Sequence, residues 1–562
     1  MTQRIAAKQI IHHLVEQGVT AFFVAPGSRS TPLVLAICEE KRAKSYVHFD
    51  ERGLAFFALG YAKATKNPVA IVITSGTAIA NLFPAVMEAS LSFVPLILLT
   101  ADRPQELRAT GANQTVDQVK FFQDYVRWQG DLLLADSDLR EQFWASLIGR
   151  IIAISKAPHP GPVHLNCAVR QPFDLSAEEV LYKNSPVVWE EARATIKKSN
   201  AEWHERMTQS RKGIILGGPG SYNPTPILAL SKALQWPILA DILSPLRRSQ
   251  HSIHHFESIL NASKDLQCDF VLHFGGRMVS EALYSWIKQQ TLLAYCHVSP
   301  YPIWENPEHL VTHRLSMSPD DFATDYLAEH HLPERALETN WSEKDARAHS
   351  LLSKIFSEQQ SWMEAAIAFS LQNIPAPIFL GNSMPIRHAD RFLRPNHHVF
   401  ANRGASGIDG NIATAAGIAE GLREPLVACI GDQTALHDLN SLTLLKTIQV
   451  PLSLIVIDNC GGRIFSFLPI HQRRDVLEKF YTAPHTISFA NLAKGFDIPH
   501  FLPQGQEELL SHLPPNSTTT SLITIHTKGS NIVEEHRYIQ QRIQEQIADK
   551  QFPPLGLTIT HK

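Results

Sequence analysis

Residues 426–468, LVACIGDQTALHDLNSLTLLKTIQVPLSLIVIDNCGGRIFSFL, restrict the fold more than any other stretch of the chain. An apolar run at 426–430 has the length of a buried strand and stops at Gly431-Asp432. Leu436, Leu439, Leu442 and Leu445 then recur at helical spacing. Pro451 introduces a second apolar run, 452–457, which ends at Asp458-Asn459-Cys460-Gly461-Gly462. Strand, helix, strand is a parallel crossover, so both polar endings fall on one sheet edge. Open α/β sheets bind their ligands at that edge, where Asp432 and Asn459 meet.

A carboxylate and a side-chain amide beside a Gly-Gly turn offer oxygen ligands to a hard cation. Mg²⁺ takes one or two such groups and completes its shell with water or phosphates. Gly461, lacking a Cβ, leaves a backbone carbonyl able to approach. The same Asp and Asn would serve equally as helix caps at strand ends, and the spacing alone leaves both readings open.

The 562 residues exceed what one core accommodates and imply two to four domains. With 51 basic and 54 acidic side chains, a nucleic acid or a polybasic membrane contact is not expected as the main partner. No apolar run reaches membrane-span length, and the N-terminus reads as an amphipathic helix without a signal core. Six cysteines lie scattered without CxxC spacing, several in strand-like runs, which suits reduced thiols and a cytoplasmic protein. Cys460 reads as a packing residue.

The expected architecture is α/β, with two similar parallel-sheet domains (1–180 and 346–562) flanking a middle α/β domain (181–345). In the first, strands are expected at 20–24, 45–49, 69–74 and 96–99. Their ends display Ser28-Arg29, Glu51, Ser75-Gly76-Thr77 and Arg103. Thr77-Ala78 and Thr434-Ala435 hold matching places after a strand, as do Pro95 and Pro451 before the next. Residues 176–210 read as a linker and 334–364 as a helical connector; strands at 213–216, 237–240 and 270–274 form the middle domain. Its Gly217-Gly218-Pro219-Gly220 lacks the full dinucleotide fingerprint and reads as a tight turn. The pairs His254-His255, His330-His331 and His397-His398 diverge on strand or helix and suggest no metal site.

APGSRSTP, FDERG, TSGTA, TADRP, GANQ, GNSMPIR, NRGASGIDG and GGRIFSFLP occur in this order. With the Gly-Asp…Asn pattern above, they make the chain resemble the 2-succinyl-5-enolpyruvyl-6-hydroxy-3-cyclohexene-1-carboxylate synthase family, thiamine-diphosphate enzymes of menaquinone biosynthesis. The likeness runs from about residue 25 to 468 and is thin in the middle domain. Gln433 stands where the signature usually has Gly, and Asp458 where an Asn is usual; neither change removes an implied ligand.

The resemblance implies thiamine diphosphate with Mg²⁺ or Mn²⁺, the metal held by Asp432, Asn459 and the Gly461 carbonyl. Ser75, Gly76, Thr77, Gln433, Gly462, Ile464 and Phe465 are implied cofactor contacts. Glu51 is the implied catalytic residue, hydrogen-bonding the pyrimidine ring and so promoting loss of the thiazolium C2 proton. The implied reaction decarboxylates 2-oxoglutarate and adds the succinyl-semialdehyde carbanion to isochorismate. Both substrates carry two carboxylates, which guanidinium groups grip bidentately. Ser383 and Arg387 would hold the succinyl carboxylate. Ser28, Arg29, Arg103, Asn113, Gln114 and Arg403 would line the isochorismate side, and Ile464, Phe465 and Leu468 would wall the pocket. Arg277 joins the substrate set, although relatives place a different pair there. The family's site forms across two subunits, which implies a homodimer at least and a tetramer by likeness. The rival reading is an acetolactate synthase-like carboligase, whose neutral-tailed substrates need fewer arginines. A non-catalytic scaffold would not need Glu51, Asp432 and Asn459.

Overall fold

The computed structural model describes residues 2–134, 140–173, 175, 201–263, 265–301, 303–330, 340–359, 361–527 and 531–547. Most of the expected linker, the boundary at 180, His331 and part of the connector lie outside them. Three six-stranded sheets carry the fold, and every described strand pair is parallel. Apolar runs such as VAIVI and LSLIVID are buried along their whole length, as strands covered by helices on both faces must be.

The first sheet contains β1 (Ala21–Val24), β2 (Lys44–Val47), β3 (Val69–Ile73), β4 (Leu96–Asp102), β5 (Trp128–Leu133) and β6 (Val163–Ala168), in the order β2-β1-β3-β4-β6-β5. The middle sheet contains β7 (Gly213–Gly217), β8 (Ile238–Ala240), β9 (Ser252–Ile253), β10 (Phe270–Phe274), β11 (Ala294–Val298) and β12 (His313–Leu315), ordered β12-β11-β10-β7-β8-β9. The third contains β13 (Ile378–Leu380), β14 (Val399–Phe400), β15 (Leu426–Gly431), β16 (Leu452–Asp458), β17 (His500–Phe501) and β18 (Ser521–His526), ordered β14-β13-β15-β16-β18-β17. Strand for strand, the third sheet repeats the order of the first, as the matched Thr-Ala and Pro positions anticipate.

The anticipated crossover is present, with Leu426 opposite Leu452 in β15 and β16. Between them the chain makes two pieces, an α-helix at Asp432–His437 and a 3₁₀ helix at Leu439–Lys446. The single helix expected from the leucine spacing is interrupted at Asp438. Its buried carboxylate accepts from Ser441 Oγ (2.7 Å) and from the Ala413 N–H (3.0 Å), and such local bonding competes with regular helix.

The outer units share one core. Helix Glu51–Thr65 lies along helix Asn411–Leu422, and Leu54, Phe57 and Ile71 pack in the same cluster as Ile412, Ala416 and Leu454. A Cβ on Gly60 would stand 2.0 Å from the Thr414 carbonyl oxygen, so the two backbones touch. Tyr46 and Glu420, 374 positions apart, are hydrogen-bonded across this contact at 3.3 Å.

In the middle sheet the strand order reverses between β7 and β10. That crevice is bridged by backbone bonds from Gly218 N–H to Phe274 O (2.7 Å) and from Gly276 N–H to Pro219 O (2.8 Å), so the glycine run is a tight turn. Buried Arg247 donates to the carbonyls of Asp390 (2.6 Å) and Leu393 (3.0 Å), tying the middle unit to the third. Asp345 pairs with Arg394 at 2.7 Å and accepts the N–H groups of His254 and His255. It lies inside helix Trp341–Ser357, which runs unbroken across the boundary expected at 345.

Candidate active site

Three neighbouring strands of the first sheet, β1, β3 and β4, end in the loops that carry most of the expected first-unit residues. Arg103, buried, donates to Ser75 Oγ (2.6 Å) and to the Asn113 carbonyl (2.9 Å). Gln114 Nε2 returns to the Ser75 carbonyl at 2.9 Å, and the Gly76 N–H reaches Gln118 Oε1 at 3.1 Å. Arg29, also buried, donates to the Val169 carbonyl at 2.8 Å. Burial and the neighbouring Arg103 charge both hold its pKa below the usual guanidinium value. Ser28, Thr77, Asn113 and Gln114 are exposed around them. Glu51 starts the helix after β2, behind the Asp50 cap, and accepts from Asn81 Nδ2 at 3.4 Å. Among the described residues, no hydrogen bond or ion pair joins it to the Asp432 cluster.

The third sheet presents the equivalent strand ends. After β13, Asn382 Nδ2 donates to the carbonyls of Asn402 (2.6 Å) and Gly407 (2.7 Å). Its Oδ1 accepts from Arg403 Nη1 at 3.1 Å. Arg387 Nη1 donates to the Ser383 carbonyl at 2.6 Å. Burial first, then the charge of Arg403, lowers the Arg387 pKa. Two like charges are thus held close on each outer unit: Arg29 with Arg103, and Arg387 with Arg403. None of the four has a carboxylate ion pair among the described residues, an arrangement suited to an incoming anion. Arg277 differs. Glu308 grips it at 2.8 Å through both nitrogens, Glu281 lies at 3.1 Å, and its guanidinium covers the Tyr284 ring at 4.1 Å. It is satisfied within the middle unit and is not brought to the other arginines by any bond.

Asp432 and Asn459 follow β15 and β16, adjacent strands, as the crossover requires. The buried Asp432 carboxylate accepts from the Gln433 N–H (2.6 Å) and the Gly461 N–H (2.8 Å), with His485 Nε2 at 3.2 Å. Desolvation pushes its pKa up, and the two N–H bonds only partly oppose that. Asn459 Nδ2 donates to Glu364 at 2.7 Å, and the buried Asn459 Oδ1 has no hydrogen-bond partner among the described residues. Desolvation raises the Glu364 carboxyl to about 7. Oxygens of Asp432 and Asp458 and a nitrogen of His485 lie within 4.8 Å of one another. A buried carboxylate beside an orphaned amide oxygen fits a divalent cation, which would satisfy both. The Gly461 carbonyl accepts from the Arg463 N–H at 2.9 Å and retains its second lone pair. Gly461 itself has φ +125°, and a Cβ there would meet the Thr482 carbonyl at 2.1 Å.

Gln433 Nε2 is tied to the Ala483 carbonyl at 2.7 Å, and the Gly462 N–H to that of Thr482 at 2.8 Å. Ile464 and Phe465 are half-buried in the short 3₁₀ helix Arg463–Phe467, Phe465 against Tyr481, and Leu468 is exposed just beyond. Sequence reasoning missed Gln118, Glu364, Asn382 and His485. Asn382 lies within a quoted motif, whereas His485 stands alone in an irregular stretch with no periodicity to mark it.

Residues 4–121 match the family described as thiamine pyrophosphate enzyme, N-terminal TPP binding domain, and residues 176–377 the one described as middle domain of thiamine pyrophosphate. A protein of Geobacillus kaustophilus is 34% identical, covering 97% of this chain and 98% of its own length. One of Rubrobacter xylanophilus is 37% identical (90% and 92%), and one of Aeromonas salmonicida 35% (94% and 95%). All three bear the name 2-succinyl-5-enolpyruvyl-6-hydroxy-3-cyclohexene-1-carboxylate synthase. With full-length relatives at this identity and the cation-fitting strand ends expected of a thiamine-diphosphate enzyme, the chain belongs to the 2-succinyl-5-enolpyruvyl-6-hydroxy-3-cyclohexene-1-carboxylate synthase family.

Proposed function

We propose that this chain decarboxylates 2-oxoglutarate and joins the remaining succinyl-semialdehyde unit to isochorismate, in menaquinone biosynthesis. The observation that carries the reading is the third sheet's edge, where Asp432 and the orphaned Asn459 oxygen lie on strands next to the loops of Arg387 and Arg403. Thiamine diphosphate, when bound, supplies the electron sink for breaking one carbon–carbon bond and making the next. Asp432, Asn459 and the Gly461 carbonyl would hold a divalent cation beside the cofactor. Ser75, Gly76, Thr77, Gln433, Gly462, Ile464 and Phe465 shape the cofactor's seat. Glu51 would hydrogen-bond the cofactor's pyrimidine ring and hold a proton there.

Ser383 and Arg387 bind the far carboxylate of 2-oxoglutarate. Arg29, Arg103 and Arg403, with Ser28, Asn113 and Gln114, receive the carboxylates of isochorismate. Among the described residues none of the four guanidinium groups is tied up in an ion pair with a carboxylate, which favours dicarboxylates over the neutral-tailed substrates of acetolactate synthase-like enzymes. Arg277 we leave outside the substrate site, because Glu308 and Glu281 already neutralise it. By likeness to the family, the site is completed by a second copy in a homodimer or larger assembly. No described helix is long and apolar enough to cross a membrane, and the free cysteines, four of them buried, fit a cytoplasmic enzyme. The test is a product assay. Purified chain with thiamine diphosphate and Mg²⁺ should form the adduct and CO₂ from 2-oxoglutarate plus isochorismate; acetolactate from pyruvate instead would replace this reading with the rival one.

A further inference from the structure

Glu88 and Lys63 belong to helices of the first unit and lie outside every motif above, yet both reach the loop of the third unit that carries Arg403. Glu88, 2% exposed, accepts the N–H of Gly404 at Oε1 (3.0 Å) and of Ala405 at Oε2 (2.7 Å). Lys63 Nζ lies 3.1 Å from Glu88 and donates to the Ala401 carbonyl (3.0 Å) and Asn402 Oδ1 (2.8 Å). The loop is therefore seized on both sides of Arg403. Asn402 transmits the hold, because its carbonyl accepts from Asn382, whose Oδ1 accepts from Arg403. One flank of the loop faces a cavity of about 180 Å³ lined by Phe56, Met87, Glu88, Asn402, Gly407 and Asp409. Packing does not fix the loop on that side, so the hydrogen bonds must.

A buried ion pair gains little stability over apolar packing. We infer that Glu88, braced by Lys63, is a positioning residue that sets the Arg403 loop and with it the fit of the carboxylate-bearing acceptor substrate. The inference rests on the reading of Arg403 as an acceptor-side arginine.

Glu88→Gln keeps the size, but its amide nitrogen would face one of the two N–H groups, and Lys63 would lose its counter-ion. The KM for isochorismate should rise roughly tenfold or more, the scale for hydrogen bonds to a buried charge. The KM for 2-oxoglutarate should move less than about twofold, and calorimetric thiamine-diphosphate affinity should hold. Arg403→Ala should raise the isochorismate KM by itself, and adding Glu88→Gln to it should change little more, because both act through one contact. Effects that multiply in the double variant would overturn the positioning role and leave the Arg403 reading intact. Arg403→Ala with an unchanged isochorismate KM would remove that reading, and this inference with it. If Glu88→Gln does not fold, Lys63→Met releases the same loop at Ala401 and Asn402 and enters the same comparison. Equal losses on both substrates there would also overturn the role.

Discussion

At Asp432 desolvation raises the cost of the charge, while two backbone N–H groups and His485 gather around it. A bound cation would settle that balance, so Asp432→Ala should weaken thiamine-diphosphate binding severely in Mg²⁺, measured by calorimetry, while binding of Mg²⁺-free cofactor changes far less. At Arg387 the argument concerns selectivity. Removing one partner of a desolvated charge pair costs ~2–5 kcal/mol. Arg387→Ala should therefore lower kcat/KM for 2-oxoglutarate by about one and a half to three and a half decades, at ~1.4 kcal/mol per decade. 2-Oxobutyrate, which lacks the far carboxylate, should lose much less in the same decarboxylation assay. Equal losses would move the carboxylate contact to another residue. Single side chains could be placed from the sequence only at strand ends or in quoted motifs, as with Arg29, Arg103, Asp432 and Asn459. Glu88 and Lys63 carry no mark in the sequence, because their partners in the third unit lie more than three hundred positions away. For Arg277 the sequence offered likeness alone, since no local pattern announces the carboxylate of Glu308.

Elements were easier to read. Apolar runs bounded by Gly, Pro and Asp locate β3, β10, β15 and β16 almost to the residue, because strands buried on both faces need no alternation to be recognised. The Leu439–Lys446 segment was misjudged, since leucine spacing reports which face is buried and not whether the turns close as α or 3₁₀. Helix pairing was also invisible. Nothing near Gly60 shows that helix Glu51–Thr65 must meet the Thr414 carbonyl. Gly60→Ala should force the two helices apart and destabilise the protein by about 1–3 kcal/mol, the usual cost of overpacking, despite the better helix propensity of alanine. Urea unfolding of the variant should show an earlier midpoint; an unchanged or later one would mean the contact relaxes freely.

At the scale of the molecule, buried histidines set an acid limit. Desolvation holds His164 and His297 at about 4 and His255 and His536 at about 3. Each stays neutral in the folded protein but titrates near 6.5 once unfolded. Their stabilisation is full above that value and is lost as pH falls toward the folded values, by up to about 1.4 kcal/mol per pH unit for each. The urea midpoint should be level above pH 7 and drop steeply from 6.5 to 5, and His164→Gln should flatten that slope. If the site is shared between copies, inactive Glu51→Gln and Asp432→Ala chains should regain part of the activity when mixed under conditions that let subunits exchange. Two pure inactive pools that stay inactive after proven exchange would place Glu51 and Asp432 in one chain's site. The shared core of the outer units also imposes a schedule on synthesis. Tyr46 leaves the ribosome 374 residues before Glu420, its partner across the helix pair. At 5–20 residues per second that is a wait of about 20–75 s. Until then the face of helix Glu51–Thr65 that will bury against helix Asn411–Leu422 lacks its partner in the chain, even after the last strand of the first sheet, Val163–Ala168, has been made.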